Sequence, residues 1–286
     1  MILVTSANGN VGRKIIGQLA ARDLKVRALD INPQAGTLKD VGAAEVQIGD
    51  ARRAEVLRRA LRGCDKVVYI PPLFVYDEAR MAELCIDAAV QEGVGQYVFM
   101  SVAHPNMSTL LQHTQKLRGE EHLVYKGLSD GLNYTILQPM HYNHNFSVPL
   151  VMADNRYDCF YTLTTKLSYV DCEEVGEVTA KILSEDIHAN ATYELCGPDF
   201  LSPMDMVEIF NRVSGRQAAA NKIDVEDFLE MIGNQDSYRA ETFRCLADTY
   251  GRYGIAGNPN VLRWLLGREP TTFEQYVRRE LERGGR

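Results

Sequence analysis

The first thirty residues restrict the fold more than any other stretch. Ile2-Leu3-Val4-Thr5 is a short apolar run, Ser6-Ala7-Asn8-Gly9-Asn10-Val11-Gly12 is a turn of small residues, and Arg13 to Arg22 reads as a helix. Val11, Ile15, Ile16 and Leu19 recur at i, i+4, i+5 and i+8, which sets one apolar stripe along that helix. A second strand, Lys25-Val26-Arg27-Ala28-Leu29, ends in Asp30. Strand, small-residue turn, helix, strand and acid in this order are the dinucleotide-binding fingerprint in its structural context.

Each part has a physical reason. A pyrophosphate needs backbone N–H groups and the positive end of a helix dipole, and it reaches them only where side chains are absent. Gly9 lets the backbone come close, and Gly12 lets the helix pack on the sheet. The first glycine of the usual pattern is replaced by Ser6, which is acceptable at negative φ and costly at positive φ. The competing reading keeps the turn for packing alone. A carboxylate at Asp30 can accept from both adenosine ribose hydroxyls, as in NAD. A 2'-phosphate there would face a like charge, at about 4 kcal/mol for unit charges about 4 Å apart near a protein surface. NAD is therefore expected ahead of NADP. Arg27 and Lys39 are the only close basic candidates to reverse that, and Arg27 is expected to point elsewhere. The cofactor contacts expected here are Thr5, Ser6, Asn8, Gly9, Asn10, Val11, Gly12, Asp30 and Ile31.

Further along, strands at 44–48, 66–70, 96–100 and 133–137 alternate with helical segments at 51–61, around Ala82, Cys85, Ile86, Ala89 and Val90, and at about 109–126. This alternation predicts an α/β fold with a Rossmann-type, doubly wound parallel sheet. Ligands of such sheets lie at the carboxyl ends of the strands. Asp50 and Ala51, Pro71-Pro72-Leu73, Ser101 to His104 and Gln138 to Asn145 are therefore the segments to watch. Beyond Pro139 the regularity weakens. Residues 1–140 are expected to form an NAD(P)-binding domain, rejoined by about 166–197, with 141–165 and 198–286 as a smaller, mainly helical substrate lobe. Helices are expected there at 204–213, 225–232 and 240–250, from Asn258-Pro259 through Leu266, and in a last one begun by Pro270.

A net charge of -7 argues against a nucleic-acid partner, because phosphate binding needs a basic face. No apolar run is long enough to span a bilayer and no signal-peptide pattern opens the chain, so no membrane partner and a cytoplasmic location are expected. The 6 cysteines are scattered without a C-x-x-C pair and read as reduced, packed thiols. The spacing of His141 and His144 raises the question of a metal; with no acid or cysteine beside them, none is expected.

Four stretches together carry a resemblance over nearly the whole chain: ILVTSANGNVGRKI at the start, Lys116-x-x-x-Glu120-x-x-Leu123, YTILQP at 134–139, and GNPNVLRWLLGREPTTF at 257–273. They resemble the NmrA-like group of atypical short-chain dehydrogenases/reductases. That group includes NAD(P)H-dependent quinone reductases, reductases of plant phenolics and proteins that bind the dinucleotide to sense redox state. In ordinary short-chain dehydrogenases a Ser, and a Tyr four residues before a Lys, carry out proton transfer. The resemblance places Ser101 at the Ser position and Lys116 at the Lys position, but Gln112 stands where the Tyr would be, and an amide cannot deliver a proton.

The resemblance implies that Lys116 hydrogen-bonds the nicotinamide ribose or donates a proton to a reduced product. The alternative is a surface Lys paired with Glu120 at i, i+4, worth about a few tenths of a kcal/mol. Lys116, Ser101 and His104 are the catalytic candidates, and His104, His141, Tyr142 and Asn145 the substrate contacts, Asn145 resembling a position near the nicotinamide end. Asp50, Ala51, Pro71, Pro72, Leu73, Ser101, Lys116 and Pro139 complete the expected cofactor contacts. The expected activity is hydride transfer from NAD or NADP to a quinone or another activated carbonyl or enone. Two alternatives stay open: a non-catalytic, dinucleotide-sensing regulator that binds a protein partner, and a biosynthetic reductase or isomerase of one specialised metabolite. A homodimer also stays open.

Overall fold

The alternation read from the sequence is the alternation observed. In a computed structural model, which describes residues 1–284, the chain begins β1 Ile2–Val4, α1 Asn10–Ala20, β2 Val26–Asp30, β3 Glu45–Ile48, α2 Ala54–Leu61, β4 Lys66–Tyr69, α3 Glu78–Gln91 and β5 Gln96–Met100. It continues with α4 Leu111–Asp130, β6 Asn133–Pro139, β7 His141–Tyr142, α5 Val148–Asp154, β8 Arg156–Cys159, β9 Leu167–Val170, α6 Cys172–Ser184 and β10 Ala191–Leu195. The remainder is β11 Phe200–Leu201, α7 Pro203–Ser214, β12 Ala219–Lys222, α8 Val225–Met231, α9 Ser237–Tyr253, α10 Asn260–Leu266 and α11 Phe273–Gly284.

Seven strands form one sheet in the order β10-β6-β5-β4-β1-β2-β3. The pairs β1–β2, β2–β3, β1–β4, β4–β5 and β5–β6 are all parallel. This is the Rossmann-type, doubly wound α/β fold. From β1 the chain winds outward to β3 and returns to β4 on the other side of β1, so the carboxyl ends of β1 and β4 form the switch point where such folds hold ligands. The central strands are buried on both faces, as near-continuous apolar runs such as Val67-Val68-Tyr69 require. On one face Leu57, Leu61, Ile86, Phe99 and Leu123 pack together from α2, α3, β5 and α4. On the other α1 meets α6, and Lys14 Nζ reaches Glu173 Oε1 at 2.6 Å.

The chain divides into two compact units: Met1–Met107, Gln112–Pro139 and Cys172–Tyr193 in the first, and Ser108–Leu111, Met140–Asp171 and Glu194 onward in the second. Within the second, β9 pairs with β7 in parallel and β11 in antiparallel, and β8 pairs with β12. Its aromatic centre is Phe146, with the rings of Tyr157, Phe273 and Phe210 at 4.7, 5.3 and 5.7 Å. Tyr276 donates to the Phe146 carbonyl at 3.0 Å. Ser202 and Asp205 form a reciprocal cap at the start of α7, with Pro203 following the cap. Arg279 grips the buried Asp171 carboxylate through two bonds of 2.6 and 3.1 Å, which anchors α11.

Some boundaries differ from the expectation. Helix α1 begins at Asn10 rather than Arg13, because Gly9 already serves as its N-cap. Pro270 does not open the last helix, which begins at Phe273, where Asp199 Oδ2 accepts from the Phe273 N–H at 2.6 Å. Strands β7, β8, β11 and β12 were not expected, since pieces of two to four residues offer no period to read, and neither was the 3-10 turn Pro33–Lys39. No helix among the described residues is long and apolar enough to cross a membrane.

Candidate functional site

The glycine-bearing turn is built to leave backbone open. A Cβ on Gly12 would stand 2.7 Å from the Ser6 carbonyl oxygen and 2.6 Å from that of Ala7, so the turn can close only over a bare Cα. Gly9 is different. A Cβ there would meet only the Ser6 oxygen, at 3.4 Å. The protein itself leaves that space free. Behind it the N-terminus of α1 has no side-chain cap and no acid in its first turn, so its leading N–H groups have no acceptor within the helix. Open backbone, free amides and an uncompensated helix dipole are the features that fit a pyrophosphate.

The turn is held by its hydroxyls. Thr5 Oγ1 and Ser6 Oγ both donate to the Ile70 carbonyl, at 3.1 and 2.8 Å, and Thr5 Oγ1 accepts from Ile70 N–H at 2.8 Å. Ser6 has φ +44°, so the costlier of the two cases considered for it is the one realised. Phe74 and His104, at φ +58° and +54°, lie in the segments that follow β4 and β5. Strained backbone therefore recurs along the carboxyl edge.

Asp30 ends β2 with both carboxylate oxygens engaged: Oδ2 accepts from Asn8 N–H at 2.7 Å and Oδ1 from Asn32 N–H at 2.8 Å. Arg27 points away from this turn, as expected, toward Glu45 at 2.6 Å and the carbonyls of Ala60 and Arg62. Lys39 is exposed on the 3-10 turn. Ile31 and Leu73 are exposed on loops after β2 and β4. Asp50, after β3, accepts from the backbone and side chain of Arg52; against a burial cost these bonds hold its carboxyl below the usual range. Ala51 follows it, partly buried, and Pro71 and Pro139 are buried.

The second cluster is formed by side chains on the buried face of α4, where Gln112, Lys116 and Glu120 follow at i, i+4 and i+8. Gly119 makes this face work. A Cβ there would lie 2.9 Å from the Phe99 ring and 3.0 Å from Ala82, so the helix sits unusually close to β5 and α3. Polar residues can then bridge those elements. Lys116 Nζ donates to Glu78 Oε1 of α3 at 2.5 Å, with Lys116 5% and Glu78 1% exposed. Glu120 accepts from Ser101 Oγ, just past β5, and from Gln138 Nε2 of β6 at 2.9 Å. The i, i+4 pair between Lys116 and Glu120 does not form; each has a partner on another element.

Burial pushes the Glu78 carboxyl up while Lys116 draws it back, and burial pushes Glu120 up against the pull of Ser101 and Gln138. His113 Nδ1 donates to the His104 carbonyl at 3.0 Å, and burial drives this imidazole down to about 4, so it is neutral near pH 7. Glu78 Oε2 and Gln112 Oε1 are buried with no partner among the described residues. Two unsatisfied acceptors on the groups flanking one ammonium fit a ligand that carries hydroxyls, as a nicotinamide ribose does.

In the second unit, Asn145 Nδ2 donates to His141 Nε2 at 2.9 Å, and the His141 ring meets the edges of Tyr169 and Tyr250 at 5.3 and 5.8 Å. Tyr142 stacks on His144 at 5.0 Å.

A profile of known proteins, the NmrA-like family, matches residues 1–277. The chain belongs to the NmrA-like family. Among its relatives, this NmrA-like protein is 24% identical to the NAD(P)H azoreductase of Xenophilus azovorans over 288 residues, 97% of each chain. It is 24% identical to quinone oxidoreductase 2 of Escherichia coli K12 over 292 residues, again 97% of each. Among solved structures it overlays triphenylmethane reductase of Citrobacter sp., complexed with NADP(H), with a TM-score of 0.81 at 23% identity, covering 98% and 99% of the two chains. That likeness shows the fold.

Three residues of this NmrA-like protein's sites escaped sequence reasoning. Glu78 had a signal, as the one acid on the helical stripe that continues through Ala82, Cys85 and Ala89. Gln138 fell in a watched segment without a role. Arg13 was read only as the start of a helix, yet Nη1 donates to Asn8 Oδ1 at 2.9 Å.

Proposed function

We propose that this protein is an NAD(P)H-dependent oxidoreductase that reduces a quinone or another activated carbonyl or enone. The observation that carries the reading is Gln112, buried one turn before Lys116 where ordinary short-chain dehydrogenases place a proton-donating Tyr. A site without that donor suits acceptors that need none. A quinone accepts hydride as a stabilised phenolate and takes its proton from water. The quinone oxidoreductase relative is named for this substrate class, and the NAD(P)H azoreductase relative supports reduction by a nicotinamide cofactor.

The residues divide the work. Nicotinamide, when bound, supplies the hydride. Asn8 to Gly12 and the first amides of α1 hold the pyrophosphate, and Thr5 and Ser6 keep that turn in shape. Asp30 and Ile31 serve the adenosine end, with Asp50 and Ala51, and Pro71 to Leu73 and Pro139 border the cofactor. Lys116, braced by Glu78, orients the nicotinamide ribose, and Ser101 is held beside it by Glu120. His104, His141, Tyr142 and Asn145 contact the acceptor.

The test is consumption of NADH and NADPH over a panel of quinones, with Lys116→Ala beside the wild type. Loss of most turnover with dinucleotide binding retained supports the assignment, and unchanged turnover removes Lys116 from it. Tight dinucleotide binding without turnover on any acceptor would instead favour a sensor.

A further inference from the structure

Asp30, read from the sequence, sets a like charge against a 2'-phosphate and puts NAD ahead of NADP. The structure alters the charge balance at that point. Both Asp30 oxygens already accept from backbone amides, of Asn8 at 2.7 Å and Asn32 at 2.8 Å, so the carboxylate faces the positive ends of two amide dipoles. On the other side of Asn8 lies a cation. Arg13 Nη1 donates to Asn8 Oδ1 at 2.9 Å and to Thr37 Oγ1 at 3.4 Å. Asn8 is thus bracketed, its N–H on the carboxylate and its side-chain carbonyl on the guanidinium.

The position of that guanidinium gives it meaning. Arg13 stands in the first turn of α1, and Thr37 in the 3-10 turn that follows β2. The glycine-bearing turn and the segment after the second strand are the two pieces of backbone between which this fold receives an adenosine ribose, and a nearby Arg there accommodates a 2'-phosphate. Nη1 alone makes both bonds; Nε and Nη2 have no partner among the described residues. A guanidinium tethered at one nitrogen keeps two nitrogens of its rigid fork as donors for paired hydrogen bonds to a phosphate.

Building on the dinucleotide reading proposed above, we propose that Arg13 is the specificity-determining residue of the adenosine end, binding the 2'-phosphate so that the chain takes NADPH at least as tightly as NADH. Asp30 then acts chiefly as the latch that fixes the turn through Asn8.

Binding, measured by calorimetry without any acceptor substrate, tests this on the full chain. The probes are NADPH, NADH, 2',5'-ADP and 5'-AMP, with wild type, Arg13→Gln and Thr37→Ala. The wild type is expected to bind NADPH at least as tightly as NADH, and 2',5'-ADP more tightly than 5'-AMP. Arg13→Gln should weaken NADPH and 2',5'-ADP by roughly ten- to a hundredfold, the loss of hydrogen bonds to a charged group. NADH and 5'-AMP should stay within about threefold, and Thr37→Ala should show the same pattern more weakly. Equal weakening of phosphorylated and unphosphorylated probes would overturn the assignment, because Arg13 would then only support the turn. So would wild-type protein that binds NADH and refuses NADPH; the dinucleotide reading would survive that result. Wild-type protein that binds neither dinucleotide overturns both.

Discussion

The turn after β1 and the buried face of α4 lie in the same unit and solve opposite problems. The turn keeps backbone bare: one Cβ would collide with carbonyl oxygens, another would project into free space, and the helix behind it is uncapped. The α4 face does the reverse, drawing Gln112, His113, Lys116 and Glu120 out of water and pairing the charged ones with partners from other elements. One region offers a ligand what the chain does not use. The other holds chemical groups in place at a cost in stability, since buried ion pairs seldom exceed well-packed apolar residues in stabilising power. Substitutions should therefore act mainly on binding in the turn and mainly on stability and turnover along α4.

The largest effect is expected from Lys116. Removing it leaves the Glu78 carboxylate buried without its partner, which costs about 3–5 kcal/mol. Lys116→Met should accordingly unfold far below the wild type in a thermal melt. Lys116→Met with Glu78→Met should recover much of that loss and still lack turnover. A single variant as stable as the wild type would mean that the pair does not exist in solution.

His113 comes next, through pH. Its folded value near 4 lies below the ordinary 6.5, so its contribution is fully present above 6.5 and is lost as pH falls toward 4. That difference corresponds to about 3 kcal/mol. Glu78 and Glu120, raised by burial, have the opposite sign: their contribution is present below the ordinary carboxylate value of 4.5 and is lost as pH rises through their folded values. Melting temperature followed from pH 7 to pH 4 should fall for the wild type and fall less for His113→Gln. Equal slopes would place His113 in contact with water.

Two glycines sharpen the contrast at about 1–3 kcal/mol each, the usual effect of overpacking. Gly12→Ala drives a methyl group into the Ser6 and Ala7 carbonyls and should abolish dinucleotide binding. Gly119→Ala pushes α4 off Phe99 and Ala82 and should spare binding while lowering turnover, because Lys116 and Glu120 lose reach. Calorimetric titration beside turnover separates them. Loss of binding in both would erase the division of labour.

The same division governed what could be read from sequence. Strand, turn, helix and acid follow one another within thirty residues, and local periodicity was enough to place them, so the sheet, its parallel winding and the glycine-bearing turn were legible. The α4 cluster joins residues far apart in the chain. Glu78 lies 38 positions from Lys116, and Gln138 lies 18 from Glu120. Periodicity carries no information about which polar groups on different elements will meet. Lys116 was accordingly weighed against a local partner, Glu120, that it does not use. Arg13 failed for the same reason, its second contact, Thr37, being 24 positions away.

The smallest expected effect is also the most informative about the turn. Ser6→Gly relieves a left-handed backbone conformation worth about 1–2 kcal/mol for an L-residue. It also removes the bond from Ser6 Oγ to Ile70, worth about 0.5–1.5 kcal/mol, and increases the freedom of the unfolded chain by a comparable amount. These nearly cancel, so the melting temperature should move by only about 2–4 °C. Binding need not cancel in the same way. The hydroxyl fastens the turn to the end of β4 before any ligand arrives, and a glycine without that tether must be ordered on binding. NADH and NADPH should each bind a few-fold more weakly, by the same factor, since the tether joins Ser6 to Ile70 and does not involve Arg13, the residue proposed for the 2'-phosphate. Unchanged affinity with unchanged stability would mean that Thr5 alone, bonded twice to Ile70, sets the shape of the turn, and that Ser6 is a tolerated departure from glycine.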